Sequence, residues 1–337
     1  MSRTPPNFRL GLLLLLLLCS APALFAQTES SVEPPVQRCV NLGNMLESPN
    51  EGEWGLRVQE FYLQTIADAG FDTVRIPIKW SNHADPMPPY TLDADFLARV
   101  DQVVGWALAA DLQVILDLHP YDEMATDPEG HIDRLAGLWE QIAAHYADLP
   151  ETVAFEAMNE PNGALTPALW NRFFPQVLER IRRSNPDRLV IVGGGNWNSL
   201  DSLATLELPD DDHLMATFHY YLPFNFTHQG AEWVNGMDAY LGTPWGSPSE
   251  KAEMQRHFAT AAAWSAENGV PLLLGEFGVY SRADLDARLL WTAAVRESAE
   301  ANGIAWCYWE FGAGFGLYDV SRREYNAIYG ALMPDQT

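Results

Sequence analysis

The chain has 337 residues, of which 47% are hydrophobic and 19% charged, a composition that excludes a disordered polymer and suits one large α/β domain. Its 20 Lys and Arg stand against 45 Asp and Glu, a formal charge of −25 that excludes broad contact with nucleic acid or anionic membranes, both of which need cationic surfaces. A neutral partner fits such a surface.

At the N-terminus Arg3 and Arg9 precede the apolar run LGLLLLLLLCSAPALFA and the polar stretch QTESS. That order predicts a secretory signal peptide over 1–26, a short segment over 27–37 and a folded domain over 38–337. No later stretch approaches the ~18 unbroken apolar residues of a membrane helix, so the mature protein is expected to be secreted, extracellular or periplasmic, without a membrane anchor. A monomer is expected.

From residue 38 short apolar runs alternate with helical patterns. The predicted strands are RCVNLG, FDTVRIPI, QVILDLH, TVAFEAMN, RLVIVGG, HLMATFHY, PLLLGEF and GIAWCYWE. Stretches such as VQEFYLQTIADAG and FLARVDQVVGWALAAD, with apolar residues three and four apart, read as the helices between them. Eight such repeats predict the α/β class and a single (β/α)₈ TIM barrel. The GGGN run at 193–196 follows a strand without the spacing of a nucleotide-binding loop and reads as a tight turn. Residues 220–248, rich in aromatics, form the longest insertion. Cys39 and Cys307 fall on the first and last strands, which adjoin in a closed barrel; two buried free thiols are expected, with a disulfide as the alternative.

Polar side chains inside a barrel are costly unless paired, so those at the C-terminal ends of strands are candidates for chemistry. They are Arg75 on the second strand, His119 on the third, Asn159 and Glu160 on the fourth, His219 and Tyr221 on the sixth, Glu276 on the seventh and Trp309 on the eighth. Each alone is compatible with a purely structural role; their common address argues for a site. Two carboxylates at one mouth are the minimum equipment for hydrolysing a glycosidic bond. Glu160 is expected to be the acid/base and Glu276 the nucleophile of a retaining mechanism. Asn159 would hold the sugar 2-hydroxyl, Arg75 and Tyr221 would aim Glu276, His219 would tune Glu160, and Trp309 would form an apolar floor. No His-x-His pair occurs among the eight histidines and no glycine-rich phosphate loop is present, so neither a metal nor a cofactor is expected. A non-catalytic sugar-binding barrel is the rival from another class, but it would need neither glutamate.

At VRIPIKW, LDLHPYDEM, FEAMNEP, FHYYLPFNFTHQGAEWV, LLGEFGVY and AWCYWEFGAGFGLYD the chain resembles glycoside hydrolase family 5, the cellulase-type barrel enzymes, from about residue 39 to 333. NLGNMLESPNEGEWG and FTHQGAEW resemble its bacterial endoglucanase/mannanase branch. The resemblance implies a β-linked polysaccharide or oligosaccharide substrate, with endo-β-1,4-glucanase activity first and mannanase or xyloglucanase activity as alternatives. It also implies that Asn44 and Glu47 bind sugar hydroxyls on the non-reducing side and that Trp233 stacks on a sugar. Relatives often carry a second His after the one matching His119; Pro120 stands there, which puts the balance between glucan and mannan in doubt. Of the further aromatics Trp54, Trp80, Tyr90, Trp197, Phe224, Phe226 and Trp245, some are expected to line a cleft and some to pack.

Overall fold

The computed structural model describes residues 1–2 and 36–336. The expected signal over 1–26 falls outside them, apart from its first two residues, as does the following segment up to residue 35. Eight parallel strands close into a barrel in sequence order. They are β1 (Arg38–Asn41), β2 (Thr73–Ile78), β3 (Gln113–Leu118), β4 (Val153–Glu156), β5 (Val190–Gly193), β6 (Leu214–Tyr220), β7 (Leu272–Phe277) and β8 (Ala305–Tyr308). All eight lie within the segments read as strands.

Helices Glu60–Asp68, Ala94–Ala109, Pro128–His145, Pro167–Arg182, Pro248–Asn268 and Leu285–Ala301 make the outer layer. Their starts are written locally. Asp93, Asp127, Thr166, Ser247 and Asp284 each accept a backbone N–H of the first turn, and proline opens three of the helices. The β5–β6 connection departs from the repeat and carries only a short turn at Gly195–Asn198 and a 3₁₀ helix at Leu200–Thr205. In that turn, which contains part of the GGGN run, Asn196 and Trp197 take left-handed backbone angles. Among the described residues no helix is long and apolar enough to cross a membrane.

Outward-facing strand residues such as Val40, Val74, Leu116, Phe155 and Phe218 pack against the helices in the main core. Inward-facing residues fill the lower barrel as a second cluster containing Cys39, Ile115, Ala154, Ile191, Met215, Leu273, Ala305 and Cys307. There the expectation of free thiols is corrected, because Cys39 and Cys307 form a disulfide. The parallel register sets them opposite one another on β1 and β8, with Cα atoms 4.1 Å apart and both side chains facing the barrel axis.

A bulge in β7 changes which side chains face the axis. Phe218 pairs with Leu274, but His219 pairs with Glu276, so Gly275 is an extra residue. Strict alternation from Leu273 would turn Phe277 inward and Glu276 outward. The extra residue instead turns Glu276 into the barrel and sends Phe277 out against Trp291 and Trp306. Only glycine fits the bulge, since a Cβ there would lie 2.6 Å from Thr217 Oγ1.

Candidate active site

One guanidinium organises the upper barrel. Arg75 is fully buried, and its five N–H donors face a ring of acceptors from β1, β3, β4 and β7. Nε and Nη2 grip both oxygens of Glu156 at 2.7 and 2.8 Å. Nη1 donates to Asn41 Oδ1 at 2.8 Å and to Glu276 Oε1 at 2.9 Å. Nη2 also lies 2.8 Å from Asn159 Oδ1 and 2.9 Å from Asp117 Oδ2. Three carboxylates therefore surround one cation, which those negative charges hold protonated.

Glu276 is anchored at both oxygens. The second accepts from the Tyr221 hydroxyl at 3.0 Å, and burial together with this carboxylate pushes the Tyr221 phenol well above its usual range. Glu160 stands in a different setting at the end of β4. Its side chain is 26% exposed against 6% for Glu276, so it is the glutamate open to the cleft. Its φ of 47° lies in the left-handed region that non-glycine residues seldom occupy, and the Asn162 side chain secures its carbonyl at 2.8 Å. His219 Nδ1 lies 2.7 Å from Glu160 Oε1 and 3.6 Å from Glu276 Oε2. Burial raises the Glu160 carboxyl to about 7 and lowers the His219 imidazole to about 4. At neutral pH His219 is thus uncharged and Glu160 holds a proton much of the time.

One oxygen of Glu160, one ring nitrogen of His219 and one oxygen of Glu276 all lie within 4.8 Å of each other. Such a trio could hold a metal, but the positive charge beside Glu276 is already supplied by Arg75. His119 Nδ1 lies 2.8 Å from Asp117 Oδ2, and its ring runs parallel to Trp309, 5° between planes with centroids 5.7 Å apart. The structure therefore gathers Arg75, His119, Asn159, Glu160, His219, Tyr221, Glu276 and Trp309 into one mouth.

The outlying candidates are placed differently. Glu47 is buried and accepts the backbone N–H groups of Asn44 and Met45, while Asn44 is half-buried at φ 63°. Trp233 is 59% exposed and packs edge-on to Tyr280. Trp54, Trp197 and Phe224 are exposed, Tyr90 is half-buried, and Trp80, Phe226 and Trp245 are core residues. Asp117, Glu156 and Asn41 also belong to the site and lie short of the ends of the expected strands; each is a polar residue at an inward position of a strand, and that parity is the signal that finds them. Glu310 is another: its buried carboxylate accepts the N–H groups of Gly312, Ala313 and Phe315 and shapes the loop beside Trp309. A cavity of about 1170 Å³ opens elsewhere, at the N-terminal ends of the strands among Val36, Val114, Leu189 and the acids Asp210 to Asp212, and none of the candidate residues borders it.

A parallel barrel with two unlike glutamates and flanking aromatics at its C-terminal mouth can protonate one side of a glycosidic bond while attacking the other. Residues 38–314 match the profile of Cellulase (glycosyl hydrolase family 5), and the chain belongs to that family. Endoglucanase H of Acetivibrio thermocellus is 39% identical over 286 residues, 85% of this chain and 30% of that relative. Cellulase/esterase CelE of the same organism is 30% identical over 294 residues, 81% of this chain and 35% of that protein. The chain thus spans about a third of the length of these two relatives. Among solved structures, Cel5A of Thermotoga maritima in complex with cellobiose is 43% identical with a TM-score of 0.87, covering 88% of this chain and 97% of the other. The same protein in complex with mannotriose aligns with 42% identity, a TM-score of 0.87 and the same coverage.

Proposed function

We propose that the protein is a secreted, retaining endo-β-1,4-glycanase that cleaves β-glucans, with Glu160 as acid/base and Glu276 as nucleophile. The observation that carries this reading is the pairing of two nearby carboxyls in opposed environments. One oxygen of each lies within 4.8 Å of one of the other's, in keeping with the ~5–5.5 Å carboxyl separation of retaining enzymes and short of the ~6.5–9.5 Å that accommodates a water in inverting ones.

Glu160, raised to about 7, donates its proton to the leaving oxygen, and Glu276 attacks the anomeric carbon from the opposite face. Arg75 and Tyr221 hold one oxygen of Glu276 each and aim the carboxylate. In the second half-reaction the deprotonated Glu160 takes a proton from water as the water oxygen attacks the anomeric carbon and displaces Glu276, so the sugar leaves with its anomeric configuration retained. His219 Nδ1 steadies Glu160 in both states. Asn159 contacts the 2-hydroxyl, Trp309 forms the apolar floor, and Asn44, held by Glu47, faces the non-reducing side with Trp233 as a stacking platform. Glucan is placed first because relatives are named endoglucanases, and mannan second because a similar protein binds mannotriose. Export follows from the N-terminal pattern, and the buried disulfide suits an oxidising compartment.

Proton NMR of the first products from barley β-glucan, glucomannan and mannan tests the proposal. The β-anomer is expected first, with glucan cleaved fastest; an initial α-anomer would refute the mechanism, and faster cleavage of mannan would reassign the substrate. Glu160→Ala is expected to regain turnover of an activated aryl cellobioside with azide, and no recovery would count against its role.

A further inference from the structure

We propose that Asp117 is a positioning residue that orients Asn159 through His119, so that one amide proton of Asn159 is reserved for the 2-hydroxyl of the sugar being cleaved. The proposal rests on the reading of the site as a glycosidase, and the assignment of protons comes from the geometry. A guanidinium has no acceptor, so whatever Arg75 touches at hydrogen-bond distance must present a lone pair. Arg75 Nη2 lies 2.8 Å from Asn159, which fixes that contact as Oδ1 and turns Nδ2 away. Asn159 Nδ2 then faces His119 Nε2 at 3.4 Å. A donor on each side would repel, so Nε2 carries no proton and the ring proton of His119 sits on Nδ1.

That proton needs an acceptor. Asp117 Oδ2 is 2.8 Å from Nδ1. Asp117 is fully buried on β3, two residues before His119, and the same oxygen lies 2.9 Å from Arg75 Nη2. Asp117 thus meets both ends of the chain of contacts without reaching the cleft. Besides Arg75 the charged group that acts on it is Glu160, and the imidazole of His119 is neutral because burial lowers it to about 4. With Oδ1 given to Arg75 and one Nδ2 proton to His119, Asn159 keeps a single free donor.

The test uses the intact protein and two substrates, 2,4-dinitrophenyl β-cellobioside and its analogue lacking the 2-hydroxyl on the ring attached to the leaving group. Asp117→Ala is expected to lower kcat/KM on the parent by about 30-fold, the scale of one buried donor left without an acceptor, and on the deoxy analogue by less than about 3-fold. Equal losses on both substrates would overturn the proposal, because a merely structural role does not distinguish them. Asp117→Asn keeps an acceptor where Oδ2 stands and is expected to remain within about 3-fold of the natural protein on both. A loss as deep as that of alanine would show that an acceptor at this position is insufficient, and would also overturn it.

Nitrogen NMR of histidine-labelled natural protein reads the His119 tautomer directly and decides the matter if the alanine variant does not fold. A proton on Nδ1 supports the proposal, and a proton on Nε2 overturns it. Failure of the natural protein to turn over the parent substrate would instead count against the glycosidase reading and leave the tautomer measurement standing.

Discussion

The lower and upper halves of the barrel are built from the same strands, two residues apart, and differ in almost every physical respect. Moving one inward position up four of the strands replaces Cys39 by Asn41, Ile115 by Asp117, Ala154 by Glu156 and Met215 by Thr217. Below, the layer is apolar and closed by a disulfide. Above, one guanidinium balances three carboxylates, and buried polar atoms such as Asp117 Oδ1, Thr217 Oγ1 and His219 Nε2 have no protein partner among the described residues. Stability and chemistry are thus divided along each strand, with the lower layer supporting a costly upper one.

Changes in the upper layer should act on rate, and by the widest margin. Glu276→Gln keeps the shape of the side chain and removes the nucleophile, so kcat on an aryl cellobioside should fall by at least ~10⁴-fold with the thermal midpoint unchanged or raised. A variant with near-normal turnover would erase the contrast. Arg75→Met should damage both properties, because Asp117, Glu156 and Glu276 would remain buried without their cation. Urea unfolding should show a loss of about 3–5 kcal/mol together with loss of turnover.

The lower layer should behave in the opposite way. Replacing Cys39 and Cys307 by serine should cost about 2–5 kcal/mol, since the bridge closes a loop with a sequence separation of 268. kcat at moderate temperature should stay within about 2-fold, and a larger drop would mean that the two layers are coupled.

A subtler effect concerns pH. Burial raises Glu47 to about 8 and Glu160 and Glu310 to about 7. Each keeps its proton in the folded chain at pH values where the unfolded chain has lost it, so its stabilising contribution is intact in acid and declines as pH rises through 7 to 8. His119, His219 and His228, lowered to about 4, work the other way, but only below their ordinary value of 6.5. Between pH 6.5 and about 8 the acids act alone, and the midpoint measured by calorimetry should fall. Glu47→Gln should flatten that slope, and a midpoint that rises over the interval would contradict the burial of these groups.

The barrel itself was legible because β2, β3, β6 and β7 are apolar runs of six or seven residues separated by amphipathic helices with capping residues at their starts. The candidate residues were legible because a polar group that closes such a run must either find a partner or face the open mouth of the barrel. Asp117 and Glu156 were harder to see because they lie short of the ends of the expected strands QVILDLH and TVAFEAMN, where only strand parity and a partner on β2 account for a buried charge. The bulge at Gly275 was not legible either, since a glycine in a strand does not announce which neighbour it turns inward. The disulfide depended on register, which decides whether two cysteines on adjoining strands meet or miss by one residue.

The bridge between Cys39 and Cys307 has a further effect on how the molecule fails. Because it joins the first and last strands, a protease that cuts any surface loop between those positions leaves two fragments that are still covalently connected. Neither piece can diffuse away, and the nicked chain can re-form its sheet as an intramolecular event at high effective concentration. Digestion would show as bands on a reducing gel well before the material on a non-reducing gel loses its original mass.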